Sequence, residues 1–284
     1  LDSLFVYSRL AVSVLSWQSA LLLLYAPIGA LIVAFRVLVG FPITCLISVL
    51  PLPRWMHTRI FRYELLLFYG IYVRVIGEPA EGARIFTPNH ISEFDAVAIR
   101  AVLDPVIFAY SIYENMWWLK CTPIHIFQME FVPPVSRMEG NALGRDIINS
   151  KINDLLQNTS RTLLVFPEGG LTNTPSGLMQ YHKHTFGLGV KMQPIALKYW
   201  SPLPLHADTA YASFVNNVLC MLLNPYQAYT IQFLPAMQGL DGESGLSFSR
   251  RVMATTAHKL NMLATPFLYS DKKKWLQLRR RMME

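Results

Sequence analysis

Charge is what this sequence has least of. Lys, Arg, Asp and Glu make up 15% of its 284 residues, against roughly 25% in ordinary soluble domains. The 52% hydrophobic content excludes intrinsic disorder, which requires the opposite balance, and argues against an ordinary cytosolic enzyme. Cysteine is scarce too. Cys45, Cys121 and Cys220 are scattered, form no CxxC pair and cannot all pair with one another. That excludes a metal site built on cysteine spacing and favours a reducing compartment. No internal repeat or low-complexity segment is present, nor a GxSxG elbow that would carry a hydrolase serine. The chain opens on Leu1 rather than methionine, so a targeting leader cannot be judged.

What charge there is lies unevenly. The formal net charge is +7, and residues 271–284 hold Lys272, Lys273, Lys274, Arg279, Arg280 and Arg281 against only Asp271 and Glu284. No basic stripe interleaved with aromatics points to nucleic acid. Basic charge on a lipophilic chain suits anionic lipid head groups or a polyanionic substrate better. The tail itself is expected as a solvated helix whose charges touch anionic lipid.

From Ala11 to Phe35 there are 25 residues without a charge. As one helix they would reach about 37 Å, against a bilayer core of about 30 Å. Pro27-Ile28-Gly29 reads as a break, leaving Ala11–Ala26 and Val37–Leu50 as two arms too short to span. Two short apolar arms around an elbow predict a hairpin in one leaflet. A single span ending at Arg36 is the rival, with Arg54, Arg59 and Arg62 marking the cytosolic side; a buried core helix is the third possibility.

Beyond about Arg59 the pattern changes to strands alternating with helices. Ile71–Ile76, Ala83–Phe86, Thr162–Phe166, Met192–Lys198 and Tyr229–Leu234 are strand candidates. Ser92–Leu103, Ala142–Gln157, Ser213–Leu223 and Leu246–Leu263 are helix candidates. The fold class expected is α/β, a mixed, mainly parallel sheet flanked by helices and preceded by a hydrophobic membrane hairpin. The domains expected are 1–58 for the hairpin, 59–268 for the α/β domain and 269–284 for the basic tail.

Two segments carry chemistry. In Asn89-His90-Ile91-Ser92-Glu93-Phe94-Asp95, between a strand and a helix, His90 and Asp95 form an HxxxxD pair. A carboxylate beside an imidazole holds one tautomer and leaves the other nitrogen to take a hydroxyl proton. With seven His and eight Asp, about 0.2 such pairs arise by chance, so the pair alone is weak. The second segment is Phe166-Pro167-Glu168-Gly169-Gly170, a strand end running into a glycine-bearing loop, where α/β sheets commonly bind ligands. His125 with Glu130 repeats the His–acid spacing without a surrounding motif and reads as structural. Trp117-Trp118 read as core or interfacial anchors, and the sequon Asn158-Thr159-Ser160 would stay unmodified in the cytosol.

Taken together and in this order, the two segments resemble the glycerophospholipid acyltransferase superfamily. Phe131-Val132-Pro133-Pro134-Val135-Ser136-Arg137 resembles its second block and Lys191-Met192-Gln193-Pro194 its fourth. The resemblance implies His90 as general base with Asp95 as its partner. It implies Arg137 holding the acceptor phosphate, and Glu168, Gly169, Gly170 and Asn89 binding substrate. It implies no cofactor and no metal, with acyl-CoA as co-substrate and a lysophospholipid or glycerol-phosphate as acceptor. Tyr181-His182-Lys183-His184-Thr185-Phe186 departs from the usual F-K-x-G-A-F pattern. More narrowly, Tyr25-Ala26-Pro27-Ile28-Gly29, Asn224-Pro225-Tyr226-Gln227 and Ser270-Asp271-Lys272-Lys273-Lys274 resemble the ancient ubiquitous protein family. That likeness implies endoplasmic reticulum and lipid droplets, with the catalytic domain cytosolic. It also implies a rival role as a non-catalytic scaffold, reaching a ubiquitin-conjugating enzyme through regions outside these residues.

Overall fold

The computed structural model describes residues 4–110, 129–132, 141–158, 160–172 and 176–283. The uncharged run forms α1 (Trp17–Phe35), which passes through a π-helical segment (Arg36–Gly40) into α2 (Phe41–Ser48). Ser16 caps its start by accepting the Ser19 N–H. The elbow expected at Pro27 is not there, because Pro27 lies inside α1. A proline removes one N–H, and apolar helices absorb that loss through their neighbouring turns. The chain reverses instead between residues 49 and 53, where Pro51 and Pro53 stop the helix, and α3 (Arg54–Tyr69) returns against the π segment and α2. The two apolar arms expected around Pro27 are therefore one continuous helix, 17–48, long and apolar enough to cross a membrane.

Gly70 ends α3 at φ +66°, where a Cβ would also sit 2.3 Å from the Pro225 carbonyl. The sheet follows: β1 (Ile71–Ile76), β2 (Ile85–Pro88), α4 (Asp95–Arg100), β3 (Val106–Tyr110), β4 (Met129–Val132) and α5 (Asn141–Asn158). Then come β5 (Leu163–Leu164), β6 (Gly177–Leu178), β7 (Met192–Trp200), α6 (Phe214–Leu223) and β8 (Gln227–Phe233). The chain closes with α7 (Gly245–Leu260), β9 (Leu263–Ala264) and α8 (Tyr269–Met283). Among the described residues the main sheet runs β1-β8-β7-β2-β5-β3-β4, antiparallel at β7–β8 and parallel at its other pairings. β2 and β7 are buried on both faces, as central strands between helical layers must be. Phe86, Ile99, Leu164, Leu197 and Tyr229 fill one layer; Ile85, Leu163, Met192, Phe248 and Val252 fill the other.

Arg36, the cation inside the apolar run, is 3% exposed. Its Nη1 donates to the carbonyls of Leu222 and Asn224, both at 2.6 Å, and its Nη2 to Pro225 at 3.1 Å. These are carbonyls at and beyond the end of α6, which helical geometry leaves without partners. Tyr25 donates to the Leu223 carbonyl, and a Cβ at Gly29 would lie 2.9 Å from Leu223. One face of the long helix is thus fixed to the domain, while Leu23, Leu24, Leu31 and Leu38 remain exposed.

The basic tail is helical but is not simply solvated. Leu4 and Phe5 are buried beside Met179, with Phe267, Tyr269 and Trp275 packed against them. The Trp275 indole donates to the Tyr7 hydroxyl at 3.0 Å, and the Arg279 guanidinium sits 3.8 Å from the Tyr7 ring centre. Aromatic faces take up charges that the sequence alone assigns to water.

Candidate active site

β2 and β5 are paired neighbours, Ile85 opposite Leu163 and Phe86 opposite Leu164. Their C-terminal ends therefore bring the His90 loop and the Phe166–Thr172 loop side by side, although 78 residues separate His90 from Glu168. His90 stacks on Phe166 with ring centres 4.1 Å apart.

Asp95 opens α4 and is fully buried. Its Oδ2 accepts His90 Nδ1 at 2.9 Å, the Ile91 N–H at 2.5 Å and the Ser92 N–H at 3.0 Å. Its Oδ1 accepts the Ser92 hydroxyl at 2.6 Å. An ionised carboxylate only accepts, so Nδ1 is the donor in this pair and Nε2 is the nitrogen that carries the lone pair whenever the ring is neutral. The Ser92 hydroxyl, spent on Asp95, in turn accepts the Tyr229 hydroxyl at 2.7 Å. The hydrogens thus run one way from Tyr229 through Ser92 to Asp95. The His90 side chain is 20% exposed, with its partner beneath it.

Glu168 is 0% exposed and ties the two loops together. It accepts the His90 N–H at 2.9 Å, the Met179 N–H at 3.0 Å and the Thr172 hydroxyl. Burial pushes its carboxyl up to about 7, against the opposing pull of the bonds from Thr172, His90 and Met179. The Thr172 N–H returns to the His90 carbonyl at 2.7 Å. Gly169 stands at φ +73°, and a Cβ there would lie 3.1 Å from the His182 ring. His182, which stands where the pattern has lysine, is held by its own N–H to the Pro167 carbonyl. Burial lowers its imidazole below the usual histidine range, favouring the neutral ring.

The structure thus gathers His90, Glu168, Gly169 and Gly170 on two adjoining loops, with Asp95 at the start of α4. Asn89 is adjacent, but its amide is spent on the Leu197 main chain of β7, accepting at 2.8 Å and donating at 3.1 Å. Arg137, like Cys121, His125, Trp117 and Trp118, lies outside the described residues. Phe166, Thr172 and Tyr229 were not singled out from sequence as site residues, and Ser92 only as a helix cap. Phe166 and Ser92 sit inside the motifs and could have been flagged. Tyr229 carries no local signal, since β8 brings it from 137 residues away. Among the described residues no cluster of metal-binding side chains forms.

A mixed, mostly parallel sheet thus presents a histidine–aspartate pair at the ends of its strands. Residues 73–198 match the acyltransferase family model. The chain is 28% identical over 254 residues to the lipid droplet-regulating VLDL assembly factor AUP1 homolog of Caenorhabditis elegans, covering 88% of this chain and 61% of the relative. It is 26% identical over 128 residues to glycerol-3-phosphate acyltransferase 3 of Xenopus laevis, covering 43% and 28%. Among solved structures, the 1-acyl-sn-glycerophosphate acyltransferase PlsC of Thermotoga maritima superposes with a TM-score of 0.52. It is 14% identical, with coverage of 82% of this chain and 96% of that one, and shows the shared fold. The chain is thus similar to acyltransferases and to the AUP1 proteins, and it shares the fold of PlsC. It spans about three fifths of the length of those AUP1 relatives.

Proposed function

We propose that this chain is a membrane-embedded acyltransferase that moves a fatty acyl group from acyl-CoA to a lysophospholipid or glycerol-phosphate hydroxyl. The observation that carries it is the partly exposed His90 ring, with Nδ1 tied to buried Asp95 and Nε2 left as a base. The acceptor oxygen gives its proton to Nε2 and bonds to the thioester carbonyl carbon. The carbon–sulfur bond then breaks, and the imidazolium returns its proton to the departing CoA thiolate. Asp95 stabilises that imidazolium. Arg137 neutralises the acceptor phosphate. Gly169 and Gly170 let the loop lie close beneath the His182 and Tyr269 rings, whereas Asn89 and Glu168, buried and spent on protein partners, shape the loop from beneath.

The membrane attachment we propose is monotopic, at endoplasmic reticulum and lipid droplets with the catalytic domain cytosolic. Tyr25, Gly29 and Arg36 fix one face of the long helix to the domain, and the opposite face is apolar and exposed. A helix held along the domain in this way sits in one leaflet more readily than it crosses two.

A second reading has its own support. The AUP1 relatives are named as lipid droplet-regulating assembly factors rather than as enzymes. On that reading the fold binds lipid without turning it over, and a ubiquitin-conjugating enzyme is reached through other regions. Acyl-CoA turnover over a panel of lysolipids separates the two. Release of CoA with formation of a new diacyl lipid supports the enzyme, and none with any acceptor supports the scaffold.

A further inference from the structure

We propose that Lys272, carried by the C-terminal helix α8, is a positioning residue for His90. The residue is 7% exposed, an unusual place for an ammonium, and its Nζ donates to the Leu171 carbonyl at 2.7 Å. Leu171 is one residue from Thr172. The Thr172 N–H holds the His90 carbonyl, and the Thr172 hydroxyl bonds to Glu168, which holds the His90 N–H. A short chain of bonds therefore runs from Lys272 to both main-chain polar groups of His90. Burial lowers the ammonium below the usual lysine range, and the charges of Asp208, Glu168 and Glu93 oppose that only in part.

Contacts away from the loop keep α8 in place. The Lys272 ammonium lies 4.9 Å from the Phe5 ring centre, and Trp275 is bonded to Tyr7. Tyr269 covers the loop directly, so closely that a Cβ at Gly170 would come within 2.3 Å of its ring. The helix thus acts as a clamp on the Glu168–Thr172 loop, and through it on the imidazole. A small displacement of a base away from its productive geometry can cost 10²-fold in rate.

The rate consequence rests on the proposed acyl transfer; the positioning does not, because it can be read from the imidazole itself. The test uses the full chain in lipid nanodiscs, comparing wild type, Lys272→Met and Lys272→Arg. Two readouts are taken: acyl transfer from acyl-CoA to a lysolipid, and the His90 Nδ1–H signal in ¹⁵N-histidine NMR. Lys272→Met should lower kcat by roughly tenfold to a hundredfold with little change in the KM for acyl-CoA, and should shift or broaden the His90 signal. Lys272→Arg, which keeps a cationic donor, should restore both. A folded Lys272→Met protein with unchanged rate and unchanged signal overturns the proposal. If Lys272→Met does not fold, Gly170→Ala displaces Tyr269 without removing the ammonium. Its His90 signal should shift and should return when Tyr269→Ala is added; no shift overturns the proposal. If wild type turns over nothing, acyl transfer fails and the His90 signal alone decides the role of Lys272.

Discussion

Replacing Arg36 by methionine removes the one charge that joins the apolar helix to the α/β domain, and its cost can be worked from the bonds it makes. Three carbonyls, of Leu222, Asn224 and Pro225, lose their donor together, and that of Asn224 is buried. A hydrogen bond to a charged group contributes about 1.5–3 kcal/mol, and an abandoned buried acceptor costs about 1–3 kcal/mol. Against this stands the desolvation of the guanidinium, which methionine no longer has to bear. The balance is a loss of about 3–5 kcal/mol, the usual result of removing one partner from a buried charged cluster. For a chain of this size that corresponds to a melting point about 5–8 °C lower. Thermal unfolding in detergent micelles, followed by circular dichroism, measures it directly. Arg36→Lys should recover only part of the loss, because one ammonium cannot replace a planar fork reaching three carbonyls. A melting point for Arg36→Met within 2 °C of wild type would refute the proposed anchoring.

Two further outcomes are expected. Glu168 binds its proton more tightly folded, at about 7, than unfolded, at about 4.5. Between those values the folded protein holds the extra proton, so stability falls as pH rises, by about 3 kcal/mol across the window. Denaturant melts at a series of pH values should show that slope, and Glu168→Gln should flatten it whatever its effect on absolute stability; an unchanged slope assigns the titration elsewhere. Topology is checked with a single cysteine at Ser8, the native cysteines being removed. Arg9 is bonded to the His206 and Ala207 carbonyls of the domain, so an impermeant thiol reagent should label Ser8→Cys in intact microsomes. Protection until permeabilisation would instead mean a luminal N-terminus.

The core of the site was legible because it is written locally. His90, Asp95 and Ser92 lie within six consecutive residues, and Phe166 and Glu168 within three. Strand patterning correctly sent both segments to the C-terminal ends of parallel strands. Most strand and helix limits fall within a few residues of expectation, since burial on a sheet or helix face imposes its period on the sequence. The elbow at Pro27 was misplaced because a proline in an exposed apolar helix costs one bond rather than a break, whereas Pro51 and Pro53 together end the helix. The partners of Arg36 were invisible because they are main-chain carbonyls more than 180 residues away, with no side chain to leave a pattern. Docking of α8 was hidden for a related reason: Tyr7, Phe5 and Tyr211 receive its charges through ring faces, and aromatic residues look the same in sequence whether or not a cation covers them.

The central claim is that His90 is a working base. The most direct measurement compares CoA release and lipid product for wild type, His90→Ala and Asp95→Asn in nanodiscs containing a lysolipid acceptor. Wild type should turn over, and His90→Ala should lose about 10²–10⁴-fold with its circular dichroism spectrum and nanodisc insertion unchanged. Asp95→Asn should also be impaired, because an amide no longer holds the Nδ1–H tautomer as a carboxylate does. Equal turnover in wild type and His90→Ala would contradict the account.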